Sequence, residues 1–88
     1  YDRTDYHISM AKRQAIVHRL SSSPPATLAA AKVTQIDATD GFRFFLGDES
    51  WLLIRFSGTE PLVRIYAEAE SLQRARKLLD EGRKLIGF

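Results

Sequence analysis

The sequence predicts an α+β domain with a four-stranded, largely antiparallel sheet and two helices packed on one of its faces. Three observations predict it: apolar residues recur at helical spacing near both ends of the chain, alternating or continuously apolar segments fill the middle, and short turn signals separate them. Strands joined by short turns pair antiparallel. Helices that flank a run of strands cover one face of the sheet, which gives the predicted two-layer arrangement.

Length and composition are those of one globular domain spanning residues 1–88. The chain has 88 residues, 44% hydrophobic and 27% charged, with a net charge of +2 that selects no partner because acidic residues are interspersed. Cysteine is absent, which excludes disulfides and thiolate metal sites. No apolar run reaches bilayer length and no secretory leader is recognisable, so we expect a cytoplasmic protein without a membrane partner. The chain begins at Tyr1, and we therefore expect it to be part of a longer protein.

The first helix is predicted over residues 9–20, with Ser9 as its N-cap. Pro24 and Pro25 lack amide protons and end it. The apolar face is expected to comprise Ala11, Ala15, Ile16 and Leu20.

Four strands are predicted over residues 32–38, 42–46, 51–56 and 62–69, and residues 1–8 leave room for a further short strand. Asp40-Gly41 is the strongest hairpin signal, because glycine accepts the positive φ that such turns need. The nearly continuous apolar run at 51–56 predicts a central strand. In the last strand, Val63, Ile65 and Ala67 should share one face.

A second helix is predicted to begin after Ser71, which can cap it. Gly82 falls on its apolar face, where a missing side chain would allow close approach to the sheet. The other members of that face are Leu72, Ala75, Leu78, Leu79, Leu85 and Ile86.

The stretch "RFSGTEP", residues 55–61, joins the last two predicted strands. Arg55 and Arg64 flank the loop, Ser57 and Thr59 offer hydroxyls, and Gly58 lets the backbone approach a ligand. Arginines, hydroxyls and converging amides together form a receptor for a small dianion, and phosphate fits it best. The same residue types also make ordinary hairpin loops, and the carboxylate of Glu60 counts against an anion site.

Two other classes of function stay open on the residues alone. A single-stranded nucleic-acid-binding sheet would use aromatic side chains beside Arg43 and Arg55; the candidates are Phe42, Phe44, Phe45, Trp51 and Phe56. A plain interaction module is the remaining alternative. His7 and His18 have no companions at metal-ligand spacing, so no metal site is predicted.

The segment "RFSGTEPLVRIYAEAES" resembles the phosphate-binding loop in the C-terminal domain of the α-D-phosphohexomutases, the family of phosphoglucomutase, phosphomannomutase and phosphoglucosamine mutase. The resemblance extends more weakly over the whole chain. It implies a TATA-binding-protein-like fold in which Arg55, Ser57, Gly58, Thr59 and Arg64 bind the substrate phosphate. Phe56 departs from the proline that many members carry, which predicts a less rigid loop entrance.

The resemblance also implies a reaction for a longer parent protein. In the family, a phosphoserine in another domain exchanges a phosphoryl group with a hexose phosphate, interconverting hexose 1-phosphate and hexose 6-phosphate with the help of Mg²⁺. These 88 residues contain neither that phosphoserine motif nor the metal loop, so no catalytic and no metal residue is assigned and no cofactor is expected in this chain. The expected partners are a phosphorylated hexose (glucose or mannose, alternatively glucosamine) and the parent's other domains, with no nucleic acid.

Overall fold

The computed structural model describes residues 1–39, 41–58 and 60–88. Over these residues the chain runs β1 (Asp2–His7), α1 (Met10–Ser22), β2 (Thr27–Leu28), β3 (Ala31–Asp37), β4 (Phe42–Leu46), β5 (Trp51–Phe56), β6 (Leu62–Glu68) and α2 (Leu72–Leu85). The strands form an antiparallel sheet in the order β1-β6-β5-β4-β3-β2.

The predicted α+β class is confirmed, with six strands among the described residues instead of four: β1 is the further strand allowed for in residues 1–8, and β2 was not predicted. β1 pairs with β6 along its whole length, from Asp2 opposite Ala67 to His7 opposite Leu62. β2 adds only two residues beside β3. The predicted central position of β5 is confirmed, since β6 and β4 border it on either side.

The two faces of the sheet differ because cross-strand partners point to the same side. On one face, Leu52, Ile54, Val63, Ile65 and Ala67 are fully buried beneath the helices. The predicted shared face of Val63, Ile65 and Ala67 is thus confirmed. We call the opposite side, which carries Leu53, Arg55, Arg64 and Tyr66, the open face.

Helix α1 follows the predicted signals at its start but not along its surface. The Ser9 side chain accepts a hydrogen bond from the Lys12 amide at 3.1 Å, as an N-cap does. Ile16 and Leu20 are buried in the core as predicted. The prediction that Ala11 and Ala15 lie on the same packed face was wrong: both are exposed, and the helix turns the longer side chains of residues 12 and 13 partly inward.

Helix α2 lies on β5 and β6 with Gly82 at the closest point. A Cβ added to Gly82 would lie 3.0 Å from Cγ2 of Ile65 and 3.3 Å from both δ carbons of Leu52, so the predicted close approach is confirmed. Ser71 caps the helix through the Arg74 amide, 3.1 Å away. Of the predicted apolar face, Leu72 alone is largely exposed, at 49%.

The β3–β4 hairpin was predicted from Asp40-Gly41. Gly41 has the expected positive φ, +103°, and lies against the backbone of Ile54 and Arg55. Asp40 lies outside the described residues.

Within the described ranges, neither helix could cross a membrane. α1 has 13 residues and α2 has 14. A spanning helix needs about 20 predominantly apolar residues.

Candidate phosphate-binding site

Two arginines face each other across the last strand pair. Arg55 near the end of β5 is the direct cross-strand partner of Arg64 near the start of β6. Partners in a ladder point to the same side, so both side chains lie on the open face beside the loop at residues 57–61. The chain therefore places two like charges at the rim of one loop.

The two guanidinium groups have few partners of their own. Nε of Arg64 is buried and makes no hydrogen bond to any described residue. Its nearest counter-charge is Oδ1 of Asp5 on β1, at 3.9 Å, which is an ion pair rather than a hydrogen bond. No pattern in the sequence indicates this role for Asp5, because its position opposite Arg64 depends on the pairing of β1 with β6.

Arg55 is exposed and borders a cleft of about 220 Å³ on the open face, together with Asp37, Thr39, Arg43 and Leu53. Hydrogen bonds from the Thr39 hydroxyl and amide hold the pKa of Asp37 below its usual range. That carboxylate is therefore ionised at neutral pH and balances part of the positive charge.

The loop itself is partly closed by its own hydrogen bonds. The Ser57 amide donates to the Leu62 carbonyl at 3.0 Å, and the Glu60 amide donates to the Ser57 hydroxyl oxygen at 3.2 Å. Two of the loop amides that were expected to converge on a ligand are therefore already bonded within the loop. Thr59, a predicted site residue, lies outside the described residues.

Gly58 is exposed and has open space beside it. A Cβ built on it would meet nothing within 4 Å, and its φ is not positive. Its amide has no hydrogen-bond partner among the described residues. Glycine is thus not required here by the loop's backbone or by its neighbours, and the open space beside it can admit another molecule.

Helix α1 contributes Arg13, which no motif in the sequence singled out. Nη1 of Arg13 donates to the Ser57 carbonyl at 3.3 Å, and the guanidinium lies over the Phe56 ring, 5.2 Å from its centroid. A cleft of about 280 Å³ separates the start of α1 from the loop, and its wall includes Met10, Arg13 and Gly58.

The five aromatic residues named for the nucleic-acid alternative do not all lie on one face of the sheet. Phe42 and Phe44 lie on the buried side, with 8% and 0% of their surface exposed. On the open face, the Trp51 indole donates to a Glu68 carboxylate oxygen at 2.9 Å, and Arg43 lies over its ring at 5.0 Å. Of those five, Phe45 and Trp51 lie on the open face, where the Tyr1 ring contacts the rings of Trp51 and Tyr66. The burial of Phe42 and Phe44 removes part of the surface that the nucleic-acid alternative predicted.

Comparison with known proteins identifies the family of this chain. A family model described as "Phosphoglucomutase/phosphomannomutase, C-terminal domain" matches residues 12–85. The chain therefore belongs to the phosphoglucomutase/phosphomannomutase family, as a C-terminal domain of a phosphohexomutase.

Three relatives illustrate the range of the family. A phosphoglucomutase/phosphomannomutase of Thermococcus kodakarensis is 42% identical over 84 residues, which is 96% of this chain and 17% of the relative. A probable phosphoglucosamine mutase of Methanopyrus kandleri is 61% identical over 46 residues, 52% of this chain and 10% of the relative. A phosphopentomutase of Thermococcus kodakarensis is 41% identical over 51 residues, 58% of this chain and 11% of the relative. The chain thus spans less than a fifth of the length of each of these relatives.

Proposed function

We propose that this chain binds the phosphate group of a sugar phosphate through Arg55, Ser57, Gly58, Thr59 and Arg64. The observation that carries the proposal is the cross-strand arginine pair at the rim of the 57–61 loop, with Nε of Arg64 buried and unpartnered among the described residues. Charge-assisted hydrogen bonds from arginine to phosphate are short, directional and strong, so a dianion would satisfy these donors.

The parent protein, in this proposal, is a cytoplasmic mutase that interconverts hexose 1-phosphate and hexose 6-phosphate, with glucose or mannose as the sugar. This chain holds the phosphate that is not being transferred and supplies no catalytic group. The Mg²⁺ that the family uses would be bound by another domain, because the described residues contain no group of three side chains suited to a metal ion.

Phosphoglucosamine is the second candidate substrate. The 61% identical relative from Methanopyrus kandleri carries that description, and the matching segment is about half of this chain. The residues proposed here bind a phosphate and not the sugar, so they fit either substrate. Activity of the full-length parent with glucose, mannose and glucosamine 1-phosphates would distinguish the candidates.

The test is a titration of the 88-residue chain with inorganic phosphate and with glucose 6-phosphate, in which binding is monitored by the NMR shifts of the backbone amides. In the absence of closing domains the site is open to water, so we expect a dissociation constant on the order of millimolar, about −4 kcal/mol. The shifts should cluster between Arg55 and Arg64, weaken with added salt and be nearly absent with unphosphorylated glucose.

The decisive variant is Gly58→Ala, because a methyl group there touches no described atom of the protein. It should leave the unfolding midpoint unchanged and still weaken phosphate binding, since the methyl occupies the space proposed for the ligand. Gly47→Ala is the matched control: its Cβ would lie 3.8 Å from the Lys32 carbonyl oxygen, an ordinary contact, in the β4–β5 turn. It should bind phosphate as the unchanged chain does.

Arg64→Ala should weaken phosphate binding by about tenfold or more, from the loss of at least one charge-assisted hydrogen bond. The proposal fails if Gly58→Ala and Arg64→Ala, both folded, bind phosphate as well as Gly47→Ala does. It also fails if phosphate causes no shifts in the loop while a single-stranded oligonucleotide shifts Phe45 and Trp51; that result would favour the nucleic-acid alternative.

A further inference from the structure

We propose that Arg13 is a positioning residue, which fixes the direction of the Gly58 amide from the far side of the loop. The inference rests on the proposed function, because it assigns that amide to the phosphate. It concerns a residue of helix α1 that touches no substrate.

Arg13 holds the loop entrance by two contacts at once. Its Nη1 donates to the Ser57 carbonyl at 3.3 Å, and its Cζ lies over the Phe56 ring, 5.2 Å from the centroid. A planar guanidinium can donate at its edge while its face lies on an aromatic ring, whereas an ammonium group cannot do both in this way. The contact lies at Phe56, where the sequence predicted a less rigid loop entrance.

The carbonyl that Arg13 binds belongs to the same peptide unit as the Gly58 amide. The chain contains no cis peptide bond among the described residues, and in a planar trans peptide the C=O and N–H groups point in opposite directions. A carbonyl directed towards α1 therefore directs the Gly58 N–H away from α1. Because Phe56 and the helices lie on the buried side of the sheet, that amide points towards the side of Arg55 and Arg64.

Helix α1 can act as a fixed support because it is itself anchored. Ile16 and Leu20 are 4% and 2% exposed within the core. Immediately before the helix, the Ile8 amide donates to the Pro61 carbonyl at 2.8 Å, so the loop's exit is tied to the same segment as its entrance. Residues 8–13 thus hold the loop at both ends and leave Gly58 open between them.

The nearby Lys12 does not duplicate this role. Its Nζ bonds to the Gly87 carbonyl at 3.4 Å and lies over the Phe88 ring at 4.3 Å, near the C-terminus. The two neighbouring cations therefore support different parts of the fold.

The experiment compares Arg13→Ala, Arg13→Lys and Arg19→Ala in the 88-residue chain. Arg19 lies on the same helix and is exposed, and its side chain makes no hydrogen bond or ion pair with a described residue. Its replacement therefore removes the same charge without touching the loop. The first readout, taken without ligand, is the amide shift and ¹⁵N order parameter of Gly58. Arg13→Ala should shift the Gly58 resonance and lower its order parameter, and Arg19→Ala should change neither.

The second readout is the dissociation constant for inorganic phosphate. Loss of one hydrogen bond and of the stacked support should weaken binding about threefold to tenfold in Arg13→Ala relative to Arg19→Ala. Arg13→Lys, which keeps the charge and one donor, should recover only part of that loss. If the role were long-range attraction alone, Arg13→Lys would bind like the unchanged chain and Arg13→Ala like Arg19→Ala, and the inference would be overturned.

Phe56→Leu keeps the inference testable if Arg13→Ala does not fold. It preserves an apolar side chain on the buried side and removes the ring under the guanidinium, so the Gly58 order parameter should fall; an unchanged value would overturn the inference. If the unchanged chain binds no phosphate, the proposed function fails, and the order parameters in the free protein still decide whether Arg13 fixes the loop.

Discussion

Replacing Gly82 with alanine tests how closely helix α2 packs on the sheet. The added methyl group would lie 3.0 Å from Cγ2 of Ile65 and 3.3 Å from each δ carbon of Leu52. Carbon atoms pack best at about 3.5–4.0 Å, so all three contacts would be too short. Both neighbours are fully buried in the core.

Two opposing effects determine the change in the free energy of unfolding. Alanine is favoured over glycine in a helix interior by about 1 kcal/mol. An extra methyl group in a well-packed core costs about 1–3 kcal/mol. The expected result for Gly82→Ala is therefore a net loss of about 1 kcal/mol.

The free energy of unfolding is measured by urea titration monitored by circular dichroism. The slope of this free energy against urea concentration should be the same in every variant. Leu52→Val provides the second arm of a double-mutant cycle, because valine has no δ carbons to meet the new methyl group. Gly82→Ala should cost less in that background, with a coupling free energy of about 0.5 kcal/mol or more. The close-packing argument would be refuted if Gly82→Ala alone raised the free energy of unfolding by the full helix-propensity difference of about 1 kcal/mol. A coupling free energy of zero between Gly82→Ala and Leu52→Val would refute it too.

Two further predictions concern the loops that border α2. Ala29 and Ala30 have φ of +48° and +66°, so Ala30→Gly should raise the free energy of unfolding by about 0.5–1 kcal/mol, whereas Ala29→Gly should gain less because that methyl group is buried; equal gains from the two in urea unfolding would contradict this. Hydrogen bonds from Ser50, and secondarily from Arg74, hold the pKa of Asp48 below its usual range. Its contribution to stability should therefore be complete above about pH 4 and be lost as the pH falls through the lowered folded-state pKa. Asp48→Asn should lose less stability between pH 6 and pH 3 than the unchanged chain, and an equal loss would refute the assignment.

The sequence predicted best where burial follows a regular spacing. Val63, Ile65 and Ala67 alternate along β6, and each is fully buried. The predicted approach of Gly82 to the sheet is confirmed as well. Glycine is unfavourable inside a helix. A glycine on an apolar helix face therefore indicates a position where a side chain would not fit.

The failures have physical causes as well. Ala11 and Ala15 were assigned to the packed face of α1, but an alanine methyl buries little area and gives weak preference for one side. Lys12 and Arg13 are partly buried there instead, with Nζ of Lys12 over the Phe88 ring and Nη1 of Arg13 bonded to the Ser57 carbonyl. The edge strand β1, with sequence "DRTDYH", is mostly polar and shows only partial burial at alternate positions, so its pattern was not distinctive.

Contacts between distant parts of the chain could not be predicted from the sequence. The bond from Arg13 to Ser57 joins residues 44 apart, and the pairing of Asp5 with Arg64 requires β1 to lie beside β6. The sequence motif identified the residues of the candidate site. Their contacts with Arg13 and Asp5 could be seen only in the fold.

The arginine pair is the feature that ordinary fold stability explains least. Like charges placed directly opposite each other in a ladder are destabilising. One carboxylate, from Asp5, lies 3.9 Å from Arg64, and no described residue forms an ion pair with Arg55. A domain selected for stability alone could separate these charges by changing one residue. An anion of two negative charges would remove the repulsion and satisfy the buried Nε of Arg64 at once. The arginine pair therefore supports the proposal that a bound phosphate completes the electrostatic balance of this site.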